Sequence, residues 1–340
     1  MTAPRRAPGR ATATAHANIA LIKYWGKADE ELIIPRTPSL SLTLDELYTT
    51  TTVEFGAVTQ DAATLDGTPV TGRAMERITA FLDLVRERSG VSDAAVVTSV
   101  NTVPTAAGLA SSASGFAALA GAASTAAGLQ LDERDLSRLA RRGSGSASRS
   151  VFGGLAMWNA GHDDATSYAA PVPGGEMAAD LAIVVLVIDD GPKAVSSREA
   201  MRRTVETSPD YAGWVEAHAG HLAEALDAIA AGDLARLGEA AEANALGMHA
   251  TMRGAVPPVD YLGPGSRAAL QAVQDARAAG LPAWATMDAG PNVKVLTSAD
   301  KAEALDAHLR EALVGKVPGL RTVVTHAGPG IQVDAEEVQS

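Results

Sequence analysis

The chain has 340 residues, 46% of them hydrophobic and 20% charged, which supplies apolar material for two domains and excludes global disorder. Lys and Arg number 28 against 40 Asp and Glu, a formal charge of −12. Such a surface disfavours nucleic acid or an anionic membrane as a partner, so an anionic ligand needs a local basic cluster. Cysteine is absent, which excludes disulfides, thiolate metal sites and a cysteine nucleophile.

No stretch approaches the roughly 18 apolar residues of a spanning helix. The longest clean apolar run, 181–188, is strand-sized. Residues 1–15 hold Arg5, Arg6 and Arg10 and no acid, without the apolar stretch of a secretory signal. They are expected to form a frayed polar tail. A soluble, cytoplasmic protein is the expectation.

A first structured segment, 16–27, leads through 32–38 into 39–44. There Leu40, Leu42 and Leu44 alternate with Ser39, Ser41 and Thr43, the period of a half-buried strand. Segments 49–55 and 94–99 are β-rich, with an amphipathic helix predicted between them at 73–88. Residues 111–127 are mostly small, which predicts a helix packed closely on a neighbour. A helix at 131–142 and a glycine- and serine-rich stretch at 143–154 follow. Pro and Gly cluster at 171–176, which places a boundary between domains of residues 1–178 and 179–340. Beyond it, helices are predicted at 196–207, 211–231, 234–248, 266–279 and 302–313, and strands at 181–188, 283–287, 293–298 and 321–325. Strands and helices mixed in both halves indicate two α+β domains.

Four segments carry candidate chemistry. Pro104-Thr-Ala-Ala-Gly-Leu-Ala-Ser-Ser-Ala-Ser114 joins a strand to a helix, with Gly108 allowing close approach and Ser111 and Ser112 at the helix start. Free N–H groups and the helix dipole suit an anion there, and the hydroxyls suit magnesium; an ordinary capped helix fits the pattern equally. No Walker lysine follows. Gly143-Ser-Gly-Ser-Ala-Ser-Arg149 ends in a permanent cation able to fork onto a carboxylate or phosphate, with a flexible linker as the plainer reading. Lys23-Tyr-Trp-Gly-Lys27 sets two ammonium groups close together, as an anion pocket or a surface pair. Asp288-Ala-Gly-Pro-Asn292 puts a carboxylate between a strand and a turn, where Asp is also common for hydrogen-bonding reasons alone. Asn244 and His249 share a predicted helix, and His249 reads as structural.

Together these segments closely resemble the mevalonate diphosphate decarboxylase family of the GHMP kinase superfamily. The matching pieces are Asn18-Ile-Ala-Leu-Ile-Lys-Tyr-Trp-Gly-Lys27, Pro38-Ser-Leu-Ser-Leu-Thr43, the loop ending at Ser112, and the loop ending at Arg149. Ser196-Ser197, Met248-His-Ala-Thr251 and Asp288-Ala-Gly-Pro-Asn292 complete the set in the family's order. The resemblance implies an N-terminal domain like ribosomal protein S5 domain 2, a ferredoxin-like C-terminal domain and an active-site cleft between them. It implies that ATP and (R)-5-diphosphomevalonate give isopentenyl diphosphate, carbon dioxide, ADP and phosphate, with magnesium. A homodimer is the expected assembly. By match, Asp288 is the catalytic carboxylate, Lys23 its neighbour, and Arg149 binds the carboxylate that is lost. Tyr24, Lys27, Ser146 and Ser197 would hold substrate; Ser99, Gly108, Ser111 and Ser112 the nucleotide, with Ser112 also toward magnesium. Arg36 and Pro38 depart from the eukaryotic pattern, and no role is assigned to them.

The nearest rivals are a phosphomevalonate decarboxylase and a mevalonate 3-kinase of the same fold; a ligand-binding paralogue without activity is a third. By the resemblance, kinase-only relatives lack the Asp–Lys pair, and both Asp288 and Lys23 are present here. Tyr24, Lys27 and Ser197 match the diphosphate pattern.

Overall fold

The computed structural model describes residues 9–102, 111–189, 191 and 193–336. The first half runs β1 (Arg10–Ile22), β2 (Lys27–Asp29), β3 (Ile34–Pro35), β4 (Ser39–Phe55), β5 (Ala62–Leu65), β6 (Thr68–Pro69), α1 (Gly72–Ser89) and β7 (Ala95–Asn101). It continues with α2 (Ser111–Ala126), α3 (Glu133–Gly143), a 3-10 helix (Gly145–Val151), β8 (Leu155–Trp158) and β9 (Ala169–Pro171). The second half runs β10 (Leu181–Val187), α4 (Ser197–Thr207), α5 (Tyr211–Ala231), α6 (Leu234–Arg253) and α7 (Pro264–Ala278). It ends with β11 (Trp284–Met287), β12 (Val293–Ser298), α8 (Ala302–Leu313), β13 (Arg321–His326) and β14 (Gln332–Glu336).

Eight strands form the first sheet, in the order β14-β1-β4-β7-β5-β6, with β8 on β4 and β9 on β8. The second sheet is antiparallel, in the order β11-β12-β10-β13. Phe81, Leu82 and Val85 of α1 and the alanines of α2 cover one face of the first sheet. The small residues of α2 do allow close approach: a Cβ on Gly121 would meet Ile331, Val333 and Ala13 at 2.8–3.1 Å. A second core joins the halves, with Leu21, Leu40, Leu42 and Leu44 packed with Ile183, Val185 and Leu296 of the second sheet and with Ile229 and Leu237 of α5 and α6. A continuous apolar seam therefore fixes the walls of any cleft between the two sheets.

Three expectations change. Residues 10–15 are not a frayed tail: they pair with β4 and β14, and Ala11, Ala13 and Ala15 are buried. Residues 1–8 lie outside the described part. The strands expected at 39–44 and 49–55 are one strand, because both pair along β1 across a register shift between His16 and Asn18, and the intervening Asp45 accepts from Thr325 Oγ1 and the His326 N–H, both at 2.8 Å. The polar face of residues 39–44 does not meet solvent, since Ser39, Ser41 and Thr43 are as buried as the leucines. The expected domain division falls just before β10, and β14 crosses back over it to pair with β1.

Candidate active site

The end of β1 is anchored from the second half of the chain. The Lys23 N–H donates to Asn244 Oδ1 of α6 at 2.8 Å, and Tyr211 Oη of α5 donates to the Trp25 carbonyl at 2.7 Å. Gly26, at φ 109°, is required there: a Cβ would lie 1.9 Å from Tyr211 Oη. Asn244 also donates to His218 Nδ1 at 3.2 Å, and His218 Nε2–H donates to the Pro38 carbonyl at 2.9 Å. Burial keeps this imidazole neutral by bringing its pKa down to about 4.

Across the cleft, Asp288 closes β11 at the turn into β12. Its Oδ1 accepts from Lys23 Nζ at 2.9 Å, and its Oδ2 lies 3.1 Å from Lys294 Nζ. Both lysine side chains are 2% exposed and the Asp288 side chain 30%, so the carboxylate is the most open of the three groups. Burial by itself would raise the Asp288 carboxyl, but the two ammoniums outweigh it and hold the acid far below the usual carboxylate range. Burial brings Lys23 down to about 8, against the pull of Asp288. His249 of α6 donates Nε2–H to the Asp288 carbonyl at 3.2 Å, and burial, then the Lys23 charge, brings it down to about 4. His249 thus holds the backbone of the acid as an uncharged imidazole near neutrality.

Arg149 enters from the 3-10 helix and is 2% exposed. It donates to Ser41 Oγ at 2.9 Å, to Asn18 Oδ1 at 3.1 Å and to Ser39 Oγ. These partners are neutral, and burial brings the guanidinium down to about 10, so it is charged at neutral pH. The serine face of β4 is therefore the cradle of this arginine.

Lys23, Tyr24, Lys27, Ser112, Ser146, Arg149, Ser197 and Asp288 line one cavity of about 240 Å³. Lys27 Nζ is ion-paired with the exposed Glu30, and the Tyr24 ring stacks edge-on against Trp158 at 4.8 Å. The hydroxyls of Ser112, Ser144 and Ser146 form a ladder with 3.4 Å steps. Ser99 lies elsewhere: it bonds Thr51 Oγ1 at 2.9 Å and lines an adjoining hollow of about 350 Å³ that shares Ser112 and Arg77 with the first. Gly108 falls outside the described residues, and Ser111 begins α2.

Sequence reasoning missed Lys294, Arg77 and Arg198. The signal for Lys294 was a single lysine inside Val293-Lys-Val-Leu296, an otherwise aliphatic strand. Arg77 and Arg198 sit on amphipathic helices rich in charge and carry no local signature. Burial, then the charges of Arg198 and Arg73, lower the Arg77 guanidinium, which marks a cluster of cations in an acidic protein.

A carboxylate between two lysines, facing an arginine with neutral partners beside a hydroxyl-lined helix start, belongs in a two-domain fold of the GHMP kinase type. Residues 15–169 match the diphosphomevalonate decarboxylase-like N-terminal domain, and residues 183–334 the mevalonate 5-diphosphate decarboxylase C-terminal domain. The chain belongs to the diphosphomevalonate decarboxylase family. It is 38% identical to the human diphosphomevalonate decarboxylase over 85% of this chain and 77% of that one. Among solved structures, the mevalonate diphosphate decarboxylase from Enterococcus faecalis is 50% identical, with a TM-score of 0.90 over 96% of this chain and 99% of that one. The enzyme from Staphylococcus aureus is 45% identical, with a TM-score of 0.91 over 96% and 98%. A complex of MDDEF with MVAPP, AMPPCP and magnesium is 51% identical, with a TM-score of 0.91 over 96% and 99%. Among the described residues no helix is long and apolar enough to cross a membrane, and no group of three or more acidic or histidine side chains is arranged for a metal ion.

Proposed function

We propose that this cleft converts (R)-5-diphosphomevalonate and ATP to isopentenyl diphosphate, carbon dioxide, ADP and phosphate, with Asp288, Lys23 and Arg149 as its catalytic groups. The observation that carries the reading is the Asp288 carboxylate, ion-paired on both oxygens and open to the cavity that Arg149 also lines. The MDDEF complex, which holds MVAPP, AMPPCP and magnesium together, supports it.

The substrate diphosphate lies against Tyr24, Lys27, Ser146 and Ser197, beside Arg77 and Arg198. Exchange of Glu30 for phosphate frees Lys27 to take part. The nucleotide base occupies the adjoining hollow, whose walls of Val97, Ile78 and Leu119 suit a flat ring and where Ser99 offers a hydroxyl. Ser112, which lines both cavities, then meets the phosphates where they join; the nucleotide roles of Gly108 and Ser111 rest on the family resemblance. Ser112 and its hydroxyl neighbours are hard oxygen donors, which fits magnesium held chiefly by phosphate oxygens. When bound, that ion neutralises charge on the transferring phosphoryl group.

Asp288 accepts the hydrogen bond of the tertiary alcohol and orients its oxygen toward the γ-phosphorus. So acidic a group is a weak base, so the proton passes from the alcohol to Asp288 late, once the new oxygen–phosphorus bond has formed and the bond to ADP is breaking. Phosphate then departs with the electrons of the carbon–oxygen bond, and positive charge develops on the tertiary carbon beside Asp288. The electrons of the carbon–carboxylate bond form the alkene as carbon dioxide leaves. Arg149 holds that carboxylate in place until then.

The test is ADP release measured with mevalonate, its monophosphate and its diphosphate, with carbon dioxide detected in parallel. One carbon dioxide per ADP, with the diphosphate preferred, is expected. ADP without carbon dioxide would make the chain a 3-kinase, and preference for the monophosphate would reassign the substrate. A homodimer and a cytoplasmic location, both expectations from the sequence, are checked by sedimentation and by cell fractionation.

A further inference from the structure

Lys294 is the second residue of β12, opposite Val185 of β10 and Thr286 of β11. A strand covered on both faces gives such a position to an aliphatic side chain, and Ile183, Val185 and Leu296 already form an apolar face beside it. An ammonium there loses its hydration, a large cost that only a well-placed partner offsets. Its partner is Asp288 Oδ2 at 3.1 Å, and Lys294 is absent from the walls of the cleft. The second oxygen, Oδ1, is held by Lys23, whose Nζ also donates to the Ala20 carbonyl at 2.8 Å. The carboxylate is thus gripped from the sheet on one side and from the end of β1 on the other.

We infer that Lys294 is a positioning residue for the reaction: by gripping Oδ2 it fixes the plane of the Asp288 carboxylate, presents the Oδ1 edge with Lys23 to the substrate, and supplies a second charge that keeps the acid ionised. This rests on the reading of Asp288 as the catalytic carboxylate. The groups around that carboxylate are Lys23 at the end of β1, Lys294 on β12, Arg149 of the 3-10 helix and Lys193 beyond β10, with neutral His249 of α6 on the Asp288 carbonyl. Lys23 alone can neutralise Asp288, so charge balance does not require Lys294. Its contribution is orientation and a surplus of positive charge.

The test uses Lys294→Met, which keeps an unbranched side chain of similar length, and Lys294→Gln, which keeps a donor without the charge. Each is expected to lower kcat by about tenfold or more, with the KM for diphosphomevalonate changed by less than about threefold. The acidic limb of the kcat profile should move to higher pH by about one to three units. The thermal midpoint of Lys294→Met should change little, because Lys23 still pairs Asp288 and the cost of burying a second ammonium is removed. A merely structural role would lower the midpoint and leave the acidic limb in place. Should the Met variant not fold, the Gln variant carries the test. Wild-type kcat with an unmoved limb in a folded variant, or a loss confined to KM, would overturn the inference. Asp288→Asn is assayed alongside: an active Asp288→Asn removes the reading of Asp288 itself. An inactive one, beside Lys294 variants like wild type, removes only the role of Lys294.

Discussion

Replacing Arg149 by lysine keeps a positive charge beside the cleft and removes the planar fork. A guanidinium has five N–H groups. Three are taken by Ser39, Ser41 and Asn18, which leaves one on each terminal nitrogen, the number that the two oxygens of a carboxylate accept. A lysine ammonium has three N–H groups in all on a flexible stem. It cannot satisfy acceptors on both β1 and β4 and still hold both substrate oxygens. Loss of one charge-assisted hydrogen bond costs about 1.5–3 kcal/mol, which lowers turnover roughly ten- to two-hundred-fold. The assay is kcat at saturating diphosphomevalonate and ATP, from ADP and carbon dioxide release together. Wild-type kcat for Arg149→Lys would show that this arginine lies outside the reacting groups and would refute the reasoning.

Asp288→Ala should abolish turnover while diphosphomevalonate affinity, read by calorimetry, changes by less than about tenfold. Because Lys23 and Lys294 then lose their partner, unfolding free energy from denaturant melts should fall by about 3–5 kcal/mol; a tenth of normal activity, or an unchanged midpoint, would contradict the site. Lys23 is held in the folded protein at about 8, below its ordinary 10.5. The folded state therefore binds fewer protons than the unfolded one between those values, and stability rises with pH across that window as the penalty for the buried charge lifts. Lys23→Met should flatten this rise, measured as the denaturant midpoint from pH 8 to 10.5, and should move the acidic limb of kcat to higher pH. A profile like wild type, with the loss confined to substrate affinity, would reject the pairing with Asp288. Gly145→Ala places a Cβ 3.0 Å from the Tyr24 ring and 2.8 Å from Trp158, an overpacking of about 1–3 kcal/mol. It should raise the KM for diphosphomevalonate with a smaller effect on kcat, and an unchanged KM would remove Tyr24 from the substrate wall.

The sequence by itself determined most of the local structure, because hydrophobic periodicity and breakers are local quantities. The helices expected at 73–88, 211–231 and 302–313 form within a residue or so of those bounds, as do the strands expected at 181–188 and 293–298. The motif residues Lys23, Tyr24, Lys27, Ser112, Ser146, Arg149, Ser197 and Asp288 were legible as segments, and the fold brings them to one cavity. Pairings across long sequence distance were not legible. The strand 332–336 carries little apolar signal of its own and exists because β1 offers it an edge. Ser39, Ser41 and Thr43 read as a solvent face because alternation reports polarity and not what the polarity meets. Only the folded chain, by carrying Arg149 more than a hundred positions to those hydroxyls, decided that the face is buried. Lys294 is the same case in reverse: a charge in an aliphatic strand looks like an error until the turn after β11 brings Asp288 within 3.1 Å of it. A buried charge is tolerated only beside its counter-charge, and where that counter-charge lies is a property of the tertiary structure.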